Sequence, residues 1–384
     1  MQQPSGFCDN SNKVCKLNKA IYGLHQSSRN WFYEMDDVLI NLNFRKLDFC
    51  NCVYLYEEKI VLLLYVDDIV LFAKNEKDLE FGINLLSARF DLKVLGETRK
   101  LLGIEFEKVG NKLFIHQSSY IEKICKMYDK FKYSVSSLPI PKGLVLSKKD
   151  SPGTIEEINE MSKFPYRNLI GCLNFIAGRT RPDIMYSVNI LSQFQSNPGV
   201  KHWNCLLKLL GYLRYTKDYK LELSKVETLN LKCYSDSDFA SNRDDRISMG
   251  GYIVFLDNTP ISWKSFKQKC VSLSTMEAEF VTLTESSKEL IWLKNVLENK
   301  CLNLNLKDCT LYCDNQASIN FANSPLENQR TKHIDVRYHF IRNLIYDTVF
   351  KLKYVKSELN MADIFTKPLT RDQLLKFCRN VFKF

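Results

Sequence analysis

No run of 18 apolar residues occurs anywhere in the 384-residue sequence, so nothing in it reads as a membrane-spanning helix. The opening residues, MQQPSGFCDN, have neither a basic segment nor an apolar core, which excludes a secretory signal there. Paired CxxC spacing is lacking too. The 13 cysteines, among them Cys8, Cys15, Cys50, Cys52, Cys125 and Cys172, are scattered, whereas a structural zinc site would want pairs. They read as reduced, mostly buried thiols of an intracellular protein. What is present is a 45% hydrophobic composition, enough for real cores, and a length that suits two or three domains. The charge is basic, 54 Lys and Arg against 44 Asp and Glu, a weak pointer toward a polyanionic partner.

The apolar spacing of Trp31, Met35, Val38 and Leu42 predicts a helix from about Ser27 to Asn43. VYLYEEKIVLLLYVDDIVLFAK then reads as three strands, with turns at Glu57–Lys59 and at Asp67–Asp68. KDLEFGINLLSARF predicts a helix. Further strands are expected over FDLKVLGETRKLLGIEFEKVGNKLFIHQ, with Gly110-Asn111 as a hairpin turn, and SSYIEKICKMYDKF comes next as a Ser-capped helix. Pro139, Pro141, Pro152, Gly153 and Pro165 mark residues 134–165 as a loop and a domain boundary. Helices are expected from Tyr166 to Tyr215, the last amphipathic and basic on one side, then a connector over 218–230. Strands first and alternating elements afterwards predict a mixed sheet covered by helices over the remainder.

Acidic residues fall at the ends of these elements. Asp67 and Asp68 lie between two apolar strands, where uncompensated carboxylates are costly. Farther on, Asp236 ends a strand, Glu279 lies on a helix, Asp314 ends another strand and Asp363 begins a last helical stretch. Taken singly, each is an ordinary turn or cap acid, and Asp314-Asn315 in particular suits a helix N-cap. Four that converge would repel one another and call for divalent metal. Two magnesium ions roughly 3.5–4 Å apart can clamp a phosphodiester and activate water for in-line attack.

YSDSDFASNRDDRISMGGYIVFLDNTPISWKSFKQKCVSLSTMEAEF, LYCDNQASI, RTKHIDVRYHFIR and ADIFTKPL together resemble the RNase H domain of copia-type LTR retrotransposon Pol polyproteins, over residues 230–370. The resemblance puts the catalytic, metal-binding acids at Asp236, Glu279, Asp314 and Asp363. It favours Asp236 over Asp238 because the family's strand-end Asp directly follows Ser or Thr, and Glu279 over Glu277 because its Glu directly follows Ala. It leaves His333 either as an outer or substrate-side group or as a locally packed histidine. Lys264, Lys267 and Lys269 are either a hybrid-binding surface or a solvated face.

The earlier part is similar to the same polyproteins. KLNKAIYGLHQSSRNWF resembles the helix that backs the incoming nucleotide, which implies nucleotide-side roles for Tyr22, Gly23 and Gln26. LLLYVDDIVLFAK resembles the palm hairpin, which implies metal binding and catalysis by Asp67 and Asp68. FDLKVLGETRKLLGIEF resembles the strand pair that grips the primer end, and YRNLIGCLNFIAGRTRPDIMYSVNILSQFQSNPGVKHW the thumb-to-connection region. The expected fold is therefore α/β (α+β): a partial reverse transcriptase palm with a helical thumb and connection, then an RNase H-like mixed-sheet domain. The expected divisions are residues 1–133, 134–227 and 228–384.

One departure matters. The family places another metal-binding Asp on a palm strand before the YGLHQ-like helix. The only acid before Tyr22 is Asp9, in a Cys-Asp-Asn-Ser context, and Asp36 and Asp37 come after that motif. The polymerase centre is thus expected to be incomplete in this chain, while all four RNase H acids are in place. The resemblance implies Mg2+ in two-metal sites, an RNA–DNA hybrid and template–primer as partners, dNTP if the palm is completed, and upstream polyprotein segments in the parent element. It implies no membrane partner and an intracellular location. The alternative is a catalytically dead or domesticated remnant that only binds nucleic acid.

Overall fold

The computed structural model describes residues 1–9, 11, 13–223, 226–300, 302, 304–324 and 335–383. Contacts group the chain into two compact units, one of residues 1–97 with 295–304 and one of residues 98–294 with 305–384. By packing, the helical middle of the chain joins the C-terminal mixed sheet in a single unit.

In the first unit, helix α1 (Ser27–Asn41) precedes strands β1 (Arg45–Leu47), β2 (Cys50–Tyr56), β3 (Ile60–Tyr65) and β4 (Asp68–Ala73), then helix α2 (Glu76–Ser87). The helix stops short of Asn43 because that residue adopts φ +66°, a left-handed conformation that ends helices. The strands form an antiparallel meander in chain order. Ile60, Leu62 and Leu64 alternate inward from β3 and bury against Met35 and Leu39, one turn apart on α1, and Leu86 of α2. Asn75 caps α2 by accepting from the Asp78 amide at 2.9 Å.

The second unit begins with β5 (Lys100–Leu101), β6 (Ile104–Val109), β7 (Lys112–His116) and α3 (Ser118–Tyr128). The Gly110–Asn111 turn joins β6 to β7, as expected. Residues 91–99, expected to include a strand, form none. The cap position of α3 is Gln117, not a serine; the Ser118 hydroxyl donates instead to the Lys217 carbonyl at 2.9 Å. The expected 134–165 loop holds α4 (Ile155–Ser162), set by a Thr154/Glu157 capping box. Helices α5 (Tyr166–Ala177), α6 (Met185–Ser192) and α7 (Val200–Tyr215) come next. Lys201, Lys208 and Arg214 are exposed on α7, and most of the rest of that helix is buried.

The expected connector at 218–230 contains β8 (Lys220–Leu223). It pairs with β7 on one side and, on the other, with β14 (Phe382–Lys383), which closes the sheet β14-β8-β7-β6-β5. Arg181, from the RTRPD segment between α5 and α6, is fully buried beside it. Its guanidinium makes a fork to Asp183 at 2.9 and 2.6 Å, donates to Thr216, and lies over the rings of Tyr212, Tyr219 and Phe382.

A second sheet of this unit comprises β9 (Asn230–Asp238), β10 (Met249–Leu256), β11 (Thr259–Lys267), β12 (Asp308–Cys313) and β13 (Lys351–Tyr354), in the order β11-β10-β9-β12-β13. The first three strands are antiparallel neighbours, while β9–β12 and β12–β13 are parallel. Helix α8 (Thr275–Leu297) links β11 to β12, α9 (Gln316–Asn323) and α10 (Asp335–Tyr346) lie between β12 and β13, and α11 (Arg371–Val381) precedes β14. One apolar core runs from Ile121 of α3 through α5–α7 and the inner face of β10 to Phe382. Among the described residues, no helix is long and apolar enough to cross a membrane.

Candidate active site

The parallel pairing of β9 with β12 builds the site. Tyr234 is in register with Tyr312, and their rings stack at 4.9 Å. Two residues beyond that pair, at the C-terminal ends of both strands, stand Asp236 and Asp314. The ends of adjacent parallel strands are where open α/β sheets generally place ligands. Asp236 opposes Gly251 on the antiparallel neighbour β10. The absence of a side chain at Gly251 lets the single turn Asp363–Phe365 press against the sheet: a Cβ there would lie 2.3 Å from that of Phe365. That approach delivers the Asp363 carboxylate. Gly250 does the same for α8, since a Cβ would come within 2.6 Å of the Thr282 hydroxyl. Glu279, one turn earlier on α8, is thereby turned over the strand ends.

The four expected acids therefore come together. Asp236, Asp314 and Asp363 each offer an oxygen within 4.8 Å of the others, and Glu279 and Asp314 do the same with the Cys313 thiol. Glu279 accepts from the Ser237 amide at 3.1 Å, and Ser357 donates to Asp314 at 2.7 Å. The Thr366 hydroxyl donates to Asp236, and the Lys367 ammonium lies 3.1 Å from Asp363 and 3.7 Å from Asp236. Burial pushes the Glu279 carboxyl well above the usual range, and its neighbours Asp236 and Asp314 add to the effect. Burial, and then Asp236, push Asp363 up to about 7, even with Lys367 beside it. Asp236 is raised as well, chiefly by burial, against the pull of Lys367 and Thr366. With all four carboxyls ionised, the cluster would hold more negative charge than Lys367 offsets, which adds to burial in making Asp236, Glu279 and Asp363 hold their protons so firmly, and the carboxylate oxygens are hard donors. Both properties fit divalent cations of the magnesium or manganese kind.

The neighbouring acids lie outside these two groups. Glu277 accepts from the Leu273 amide at 2.8 Å in the first turn of α8. Asp238 is half-buried at the end of β9 and belongs to neither metal-sized group. Asn315, not Asp314, caps α9 by accepting from the Ser318 amide at 2.9 Å. His333 lies outside the described residues. Lys264 and Lys269 are exposed, and Lys267 is paired with Asp245. Cys313, Ser357, Thr366 and Lys367 were not singled out by sequence reasoning. The signal for the last two was available: they come three and four residues after Asp363, one helical turn.

In the first unit, the hairpin loop is Val66–Asp67, and Asp68 is already the first residue of β4, paired with Tyr65. Val66 takes φ +53°, rare for a β-branched residue, and the Trp31 indole donates to its carbonyl at 2.9 Å. Tyr22 donates to Asp67 at 2.6 Å, which raises its own phenol. Gly23 adopts φ +92° and Gln26 occupies the cap position of α1. Asp67 and Asp68 are exposed. Among the described residues no third carboxylate joins them in a metal-sized group. Asp9 is bound to Gln3 and Ser11, and Asp36 to Lys46 and Tyr54.

The order β11-β10-β9-β12-β13, three antiparallel strands followed by parallel pairs with acids at the strand ends, is that of a ribonuclease H-like mixed sheet. Residues 1–142 match the family model described as reverse transcriptase (RNA-dependent DNA polymerase). The Pol polyprotein of transposon TNT 1-94 from Nicotiana tabacum is 38% identical over 99% of this chain and 29% of its own length. That of transposon RE1 from Arabidopsis thaliana is 35% identical over 99% of this chain and 26% of its own. The N-terminal RNase H domain of a Mycobacterium tuberculosis protein overlaps 39% of this chain and 97% of its own at 11% identity and a TM-score of 0.27, a likeness too slight to add weight. The chain belongs to the copia-type retrotransposon Pol polyproteins as a fragment, with a reverse transcriptase match over residues 1–142. It spans between a quarter and a third of the length of these curated relatives.

Proposed function

We propose that the second unit hydrolyses the RNA strand of RNA–DNA hybrids, with Asp236, Glu279, Asp314 and Asp363 as the residues that hold two magnesium ions. The observation that carries this reading is the gathering of four acids from two parallel strand ends, a helix and a glycine-seated turn into two metal-sized groups that share Asp314. When bound, the ions would supply an activated water and offset charge on the phosphodiester. The chain's own part is to hold the oxygens in place. Ser237 fixes Glu279, Ser357 fixes Asp314, and Thr366 fixes Asp236, each by donating a hydrogen bond. Burial of Asp236 and Glu279 keeps competing water from those carboxylates. Exposed Lys264 and Lys269 are suited to phosphate contacts.

The hairpin of the first unit has two solvated acids where nucleotidyl transfer wants a fuller set, so we assign it no polymerase activity in this chain alone. Tyr22, Gly23 and Gln26 would line the dNTP position only if a further carboxylate were supplied. A labelled RNA–DNA hybrid incubated with the full chain and Mg2+ tests the proposal, with Asp314→Asn as the control. Magnesium-dependent cleavage above the control is expected. Salt-dependent binding without any cleavage would replace the reading with that of a binding remnant.

A further inference from the structure

Lys367 is the one cation placed against the acid cluster among the described ion pairs, and its geometry is that of an occupant rather than a neighbour. Its ammonium is within 3.1 Å of Asp363 and 3.7 Å of Asp236. Those are two of the three carboxylates whose oxygens lie within 4.8 Å of one another. It reaches them from just past the single turn Asp363–Phe365, and its own amide donates to the Asp363 carbonyl at 3.2 Å, so its backbone is tied to the turn that seats on Gly251. The side chain is 40% exposed, against 4% for Asp236 and 16% for Asp363. The ammonium therefore reaches inward from the solvent edge and has a way out, which the acids do not.

We propose that Lys367 is a displaceable internal counter-ion: it occupies the Asp236–Asp363 side of the cluster when no divalent ion is bound, competes with that ion, and swings to solvent when it binds. The inference rests on the two-metal reading of the same acids. Two cations drawn to the same oxygens repel at close range in a partly buried site, so each weakens the other's hold. By linkage, removing the lysine charge strengthens divalent binding by the same factor as divalent binding loosens the lysine.

The test is Mn2+ titration of the full chain, reading free Mn2+ by its electron paramagnetic resonance signal, for wild type, Lys367→Gln and Lys367→Arg. Lys367→Gln is expected to bind about fivefold or more tightly than wild type, within the usual range of coupling between two sites, and Lys367→Arg to stay close to wild type. Measurable binding by the glutamine variant alone would equally support the proposal. Equal or weaker binding by Lys367→Gln overturns the proposal and leaves the two-metal reading standing. No binding by any of the three overturns both. A second measurement uses the wild type alone: acylation of Lys367, read by peptide mass analysis, should be slow in chelator and faster in Mn2+. An unchanged rate overturns the proposal whatever the variants do.

Discussion

The two acidic sites of this chain differ in what surrounds them. Asp67 and Asp68 stand at a two-residue hairpin tip, in water, with a tyrosine hydroxyl as the main partner of one. Asp236, Glu279, Asp314 and Asp363 come from four separate elements, two of them buried, with a lysine and three hydroxyl or amide donors among them. Carboxylates in water cost the fold nothing, so their presence says little about what they do. Carboxylates forced together out of water are unfavourable by themselves, and a fold that keeps them so points to a cation. The contrast places the stronger case for chemistry in the second unit.

Four measurements would break or sharpen that contrast. The largest expected effect is on hybrid cleavage. Asp314→Asn should reduce it by roughly 10²–10³ or more, the scale seen when an electrostatic catalytic group is removed, while Asp67→Asn leaves it unchanged. Equal losses would dissolve the distinction. Next, Gly251→Ala should destabilise the second unit by about 1–3 kcal/mol, because the added methyl meets the Phe365 side chain. Chemical denaturation would read this, and divalent binding should weaken along with it.

A smaller effect concerns pH. Asp363 titrates near 3.8 when unconstrained and is held up to about 7 here, so the folded chain binds the extra proton between those values. Metal-free stability should therefore fall as pH rises from about 4 to 7, and Asp363→Asn should flatten that slope. The facing charged groups Asp236, Asp314 and Lys367 remain in the variant. A slope that persists would shift the effect to Glu279 or Asp236. The smallest effect is at the exposed hairpin. Tyr22→Phe should change stability by no more than about 0.5 kcal/mol, as for a surface substitution; a larger loss would mean that the tip is held more firmly than its exposure implies.

Much of this was legible in the sequence where local pattern and final environment agree. The α1 helix, the three strands around the DD turn and the strand-end positions of Asp236 and Asp314 stem from apolar periodicity, which burial then rewards. What escaped was set by distant partners. β8 and β14 are strands of four and two residues that exist through pairing with each other and with β7. No local window of the sequence contains that pairing. α4 escaped for another reason: the prolines around it outweighed the Thr154/Glu157 capping signal. In the site, the acids could be named one by one. The role of Lys367 depended on Gly251 allowing the turn before it to close on the sheet.

The pairing of Leu221 with Phe382 also bears on how the chain is made. As the ribosome releases the polypeptide, the first unit's meander can form from neighbours in sequence as soon as they emerge. The sheet that begins at Lys100 cannot be finished, nor Arg181 covered by the Phe382 ring, until residues 382–383 have been translated. Nascent chains stalled shortly before residue 382 should therefore leave β8 as an open edge, the form most prone to wrong partnerships during synthesis.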